Sequence, residues 1–165
     1  MFGPGAVLDS FQSSGAAPKL LRGAITYAAG TTGAIGATTL FTVTGDVLVT
    51  MVAAKCTTDL TSGGVAQFTL GFVGAAGAIL NVAYPDVTGW DAGEWIDSLA
   101  GGYTAGAGTP LNKEQAQIVG WTTSANVIQT ISGATITGGV VRWYLSYVPL
   151  SGDGLVTLHA NLTAF

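Results

Sequence analysis

Charge is what this sequence has least of. Nine acidic and five basic residues make up 8% of its 165 positions, against about 25% in an ordinary soluble domain. The basic residues Lys19, Arg22, Lys55, Lys113 and Arg142 are scattered and form no run, which excludes the electrostatic footprint of a nucleic-acid partner. A single cysteine, Cys56, closes no intrachain disulfide and reads as a small buried apolar residue suited to a reducing compartment. The single histidine, His159 in "LVTLHANLT", has no acidic or cysteine neighbour in sequence. A triad or metal cluster built on it would have to be gathered from distant segments. There is no G-x-S-x-G elbow and no G-x-x-x-x-G-K-[ST] phosphate loop.

Uncharged stretches are long, but they are not helical. The segment "GAITYAAGTTGAIGATTLFTVTG", Gly23 to Gly45, is crowded with glycine and threonine, which favour turns and strands over a membrane helix. The first residues, "MFGPGAVLDSFQSSGAAPKLLRG", lack the basic start, apolar run and small-residue cleavage site of a secretory signal. Synthesis in the cytoplasm, without membrane insertion, is the expectation. The "NLT" at Asn161 then carries no weight as a glycosylation site.

What the chain does have is 25 glycines, 48% apolar residues and a mean hydropathy of +0.51. Short β-rich runs alternate with turn signals such as "TSGG", "TGG" and "SGDG". Strands are expected near Gly23–Ala28, Thr38–Thr44, Val47–Cys56, Ala66–Val73, Ile79–Ala83, Gln117–Trp121, Val127–Ser132, Val140–Val148 and Val156–Ala160. The expected fold is all-β: an antiparallel β-sandwich or jelly-roll-like barrel of about eight strands. One domain over 20–165 follows an extended arm over 1–19. That arm carries Phe2, Val7, Leu8 and Phe11, side chains with little purpose on a solvated tail, so it is expected to lie on a neighbour. A glycine and alanine loop over Ala100–Pro110 leads to a helical turn at Leu111–Gln117.

The run "TLFTVTGDVLVTMVAAKC", Thr39 to Cys56, reads as two strands joined in a hairpin at Gly45-Asp46. Alternation places Phe41 and Val43 opposite Leu40, and Val47, Val49, Met51 and Ala53 opposite Leu48, Val52, Ala54 and Cys56. Both faces are largely apolar, whereas an antiparallel pair normally keeps one wet face. Cover for the second face comes either from another copy of the chain or from within the fold, and alternation does not say which.

The stretch "YPDVTGWDAGEWIDS" gathers Asp86, Asp91, Glu94 and Asp97 around Trp90 and Trp95, with Tyr103 following. Its acid spacing matches no EF-hand loop, and a solvated loop explains it without metal. Paired carboxylates for glycoside hydrolysis would have to come from Asp91, Glu94 and Asp97, and nothing else in the sequence asks for catalysis. No cofactor is expected. Aromatics in a polar loop mark a contact surface for protein or sugar rings, or plain packing at the end of the barrel.

The succession "TTGAIGATTLFTVTGDVLVTMVAAKCTTDLT", then "AQFTLGFVG", then "VVRWYLSYVPLSGDG" resembles small β-rich virion structural proteins of tailed bacteriophages. The resemblance implies a non-enzymatic head decoration or cement protein, resident in the virion after synthesis in the host cytoplasm. It implies virion partners, the major capsid protein first among them, and a homo-oligomer, a trimer by the habit of such proteins at lattice threefold positions. The alternative is a tail or head-fibre module that holds host glycan through Trp90, Trp95 and Tyr103.

Overall fold

A computed structural model describes residues 17–80, 86–87, 90–97, 120–123 and 125–165. Most of the arm, and the loop and helical turn expected over 100–117, lie outside the described residues. Among the described residues every regular element is a strand. They are β1 (Lys19–Thr26), β2 (Gly36–Thr44), β3 (Asp46–Ser62), β4 (Gln67–Phe72), β5 (Ala75–Leu80), β6 (Trp95–Asp97), β7 (Gly120–Thr123), β8 (Val127–Ser132), β9 (Ile136–Pro149), β10 (Leu155–Leu158) and β11 (Thr163–Ala164). Of these, β6 and β11 are too short to have been read from the sequence.

The strands form two antiparallel sheets. One runs β11-β1-β9-β3-β6, with β7 also on β3, and the other runs β10-β2-β8-β4-β5. Without β10 and β11, the order is β1-β9-β3-β6/β7 facing β2-β8-β4-β5, the strand order of a jelly roll, the double Greek key of the β-sandwiches. The expected β-sandwich is therefore what forms. Each sheet has a late strand at its heart: β9 lies between β1 and β3, and β8 between β2 and β4.

The expected hairpin at Gly45 does not form. β2 pairs with β8 and β10, while β3 pairs with β9, β6 and β7, so the chain crosses from one sheet to the other at Gly45. A Gly-Asp pair between two β runs serves a sandwich corner as well as a hairpin, and the pattern alone does not separate them. Glycine is required at this corner. Its φ is 62°, and a Cβ would stand 2.5 Å from Asp153 Oδ1.

The puzzle of two apolar faces is resolved by bulges. The pairing of β2 with β8 skips from Thr39 to Phe41, so Leu40 is an extra residue, and Leu40 and Phe41 are both fully buried. In β3 the pairing with β9 skips from Val49 to Met51 and leaves Thr50 extra. The buried set therefore passes from odd positions, Val47 and Val49, to even ones, Val52, Ala54 and Cys56. Opposite them, β9 buries Val141, Trp143, Leu145 and Tyr147 without a change of phase. These side chains are buried within one chain, so of the two sources of cover it is the fold itself that supplies it. Each large aliphatic or aromatic so buried stabilises the fold by roughly 1.5–3 kcal/mol.

The sandwich closes along the β1 edge at Gly23. A Cβ there would meet Leu158 and Leu162 at 2.9–3.1 Å, so the absence of a side chain lets the segment after β10 pack down. Within the core one polar pair bridges the sheets: Tyr27 donates its hydroxyl to Gln129 Oε1 at 2.7 Å. Burial pushes the Tyr27 phenol well above its ordinary range, although the bond to Gln129 pulls the other way.

Candidate interaction surface

Strand alternation that sends Trp143, Leu145 and Tyr147 inward turns Arg142, Tyr144 and Ser146 outward on β9. Register then assembles the outer face. Arg142 lies between Ala24 of β1 and Lys55 of β3, and Lys55 lies opposite Trp95 of β6. In the next row Tyr144 lies between Arg22 and Ala53, and Asp97 is opposite Ala53 in the register. Ala53 belongs to this outer face yet is only 2% exposed. A small residue at its centre leaves room for the rings around it.

Those rings are in contact. The Trp95 and Tyr144 centroids are 5.4 Å apart with the planes tilted by 32°, and Phe165 meets Tyr144 edge-on at 5.8 Å and 85°. Two cations lie on them: Lys55 Nζ is 5.4 Å from the Trp95 ring centre, and the Arg142 guanidinium is 4.6 Å from that of Phe165. Partly exposed contacts of this type contribute about 0.5–1 kcal/mol each. Phe165 remains 47% exposed, and Arg22 and Arg142 are exposed. The arrangement is a cationic and aromatic platform on one sheet face, able to hold anionic groups beside apolar ones.

Of the residues singled out in the sequence, Trp95 belongs to this platform. Trp90 does not. It is 1% exposed and sits in the core, so its expected exposure is corrected. The cause is the stitching of its segment to β3: Leu60 N donates to Trp90 O, Gly93 N to Cys56 O and Cys56 N to Glu94 O, at 2.8–3.2 Å. Phe2, Val7, Leu8, Phe11 and Tyr103 lie outside the described residues. Sequence reading missed Tyr144, Phe165, Lys55, Arg142 and Arg22 as a set. The alternation in "RWYLSY" marks the outward positions of β9, but only register brings Lys55 and Trp95 beside them.

Within the acidic stretch Glu94 is tied to its own loop, which a second acid, Asp59 of β3, also holds. Glu94 is nearly buried and accepts a hydrogen bond from Asp91 N at 3.1 Å, and Asp59 accepts from Ala92 N at 2.7 Å. Among the described residues no group of three or more His, Cys, Asp or Glu is placed to hold a metal ion. His159 is half-buried, with its N–H donating to Leu40 O and its Nδ1 accepting from Asn161 N at 3.3 Å, a turn-forming role. The buried Cys56 thiol donates to Thr58 O at 3.1 Å and Trp90 O at 3.4 Å, and burial pushes its pKa up to about 11. A thiol so held is a poor nucleophile. An open polar cleft of about 390 Å³ lies on the other sheet between Thr31, Thr32, Ala37, Thr38, Thr39 and Asn161.

Compared with known proteins, the chain matches no family model, no curated protein and no solved structure.

Proposed function

We propose that this chain is a non-enzymatic structural protein of a bacteriophage particle, a head decoration or cement protein whose main partner is the major capsid protein. The observation that carries the reading is the jelly-roll order β1-β9-β3-β6/β7 over β2-β8-β4-β5, an architecture used by viral capsid domains. It joins the resemblance of the "LFTVTGDV" and "RWYLSYVPLSGDG" segments to small phage virion proteins. The inference from fold is by analogy, because one fold hosts many functions. The mechanism is linkage: a protein that binds only the assembled shell stabilises it by an amount that grows with its concentration relative to Kd. The few charges of the chain suit a particle subunit whose surface is shared with neighbours, a homo-oligomer among them.

The test is made on particles of the phage that carries this gene. Mass spectrometry of purified particles should find the chain in stoichiometric amount, and particles from a deletion strain should release their contents at a lower temperature. Absence of the chain from purified particles would refute the reading. Native mass of the purified protein reports the oligomer.

A host-glycan module is the second reading, favoured by the Trp95 and Tyr144 platform because sugar rings stack on such surfaces. It loses Trp90 to the core. Trp95→Ala should then abolish cell or sugar binding while the fold survives, and unchanged binding would exclude it.

A further inference from the structure

We propose that the outer face of the β1-β9-β3-β6 sheet docks an acidic segment of a partner protein. Arg22, Lys55 and Arg142 receive its carboxylates, and Trp95, Tyr144 and Phe165 its apolar side chains. The proposal deepens the particle reading and rests on it only for the identity of the partner.

Charge complementarity fixes the occupant. The chain carries a net charge of −4, yet three of its five basic residues share this one face. One acid, Asp97, shares the outer register row with Arg22 and Tyr144, which leaves the cations of this face in excess by three to one. Asp46 and Asp153 sit at the β2–β3 corner with Ser151, while Asp59 and Glu94 bind backbone amides of the loop before β6. Arginine, tryptophan and tyrosine are also the residues that dominate protein contact energies, because each offers area and a polar handle together.

The same geometry disfavours a nucleic acid. A polyphosphate needs a continuous track of cations along its backbone. Here three cations are interleaved with rings and span two neighbouring rows of the sheet. That pattern suits a few carboxylates presented together with apolar side chains. Lys55 and Arg142 are already steadied on ring faces, so less side-chain freedom is lost when a carboxylate arrives.

The test uses the full-length protein and a labelled synthetic peptide of alternating glutamate and leucine, with fluorescence anisotropy as the readout. Its controls are the same peptide with glutamine for glutamate, heparin, and a thymidine oligonucleotide. The glutamate peptide should bind, added salt should weaken it, and the glutamine peptide should not bind. Arg22→Glu and Arg142→Glu should each weaken binding by about tenfold or more. Lys19→Glu, the same charge change at the end of β1 and off the platform, should leave it unchanged. Circular dichroism confirms that each variant folds. Failure of the glutamate peptide to bind, equal loss in Lys19→Glu, or tighter binding of heparin or the oligonucleotide would each overturn the proposal. Binding of the peptide through this face by a chain absent from particles would leave the docking surface standing and remove the particle reading.

Discussion

Two single-residue deletions in β3, three positions apart, should have very different consequences. Thr50 is the extra residue of a bulge: Val49 pairs with Tyr147 and Met51 with Ser146, which are adjacent in β9. Deleting Thr50 closes the strand while keeping Val49 inward, Met51 outward and Val52 inward. On the opposite edge of β3 the bulge falls between the partners, since β7 ends its pairing at Val49 and β6 begins at Ala53. What is lost is the hydrogen bond of 3.0 Å from Thr50 Oγ1 to Ser146 Oγ, and with it about 1 kcal/mol. Deleting Ala53 is different, because everything from Ala54 onward then changes face. The strand can rescue Ala54 and Cys56 only by absorbing the bulge, which turns Met51 inward and Val52 outward. Val52 then takes the Ala53 site, which is only 2% exposed beneath the rings, and Met51 takes the Val52 site, so both are overpacked at about 1–3 kcal/mol each, about 2–6 kcal/mol in total. For a domain of this size the melting temperature falls by about 2–4 °C per kcal/mol. Urea and thermal unfolding of both deletions give the comparison. Equal losses, or failure of the Thr50 deletion to fold, would refute the bulge as the device that sets which face is buried.

Other outcomes follow from the core and the corners. Tyr27→Phe leaves the fully buried Gln129 amide without its hydroxyl donor and should destabilise by about 1–3 kcal/mol, and adding Gln129→Leu should recover much of the loss in urea melts. Gly45→Ala places a Cβ against Asp153 at positive φ and disturbs the Ser151 to Asp153 hydrogen bond of 2.6 Å. It should lower stability by about 2–3 kcal/mol, and a loss under 0.5 kcal/mol would contradict the corner geometry. Burial raises the Cys56 pKa from 9.0 to about 11, so between those values the unfolded chain has released a proton that the folded one retains. Stability is therefore complete below pH 9 and falls as pH rises, by roughly 1.4 kcal/mol per pH unit. Cys56→Ala should flatten that slope between pH 9 and 10, before Tyr27 adds its own. An unchanged slope would place the linkage elsewhere.

Strands and turns were legible because β-branched runs and glycine-bearing turns stand out in this sequence. Their pairing was not. The Gly45-Asp46 turn has the chemistry of a hairpin, and only the large residues on either side, buried from opposite sheets, make it a corner. The doubled apolar faces of Thr39 to Cys56 were the visible trace of bulges at Leu40 and Thr50, a phase change that simple alternation reads as ambiguity. Trp90 was misplaced for a related reason. Its acidic neighbours imply solvent, but their backbone is bonded to β3 and carries the indole inward. The outer platform was half legible: "RWYLSY" marks which β9 residues face out, while the approach of Lys55 and Trp95 depends on register across three strands.

The position of β8 and β9 at the centres of their sheets bears on how the chain is made. Lys19 waits for Tyr147, and Gly36 for Ile131, before either can form its ladder. At about 5–20 residues per second, a ribosome holds β1 and β2 for several seconds with apolar edges open and no partner yet synthesised. Pairings of such sequence separation also close slowly, in milliseconds to seconds. Nearly the whole polypeptide must emerge before either sheet is complete, and until then native stability gives the open edges of β1 and β2 no protection from edge-to-edge aggregation.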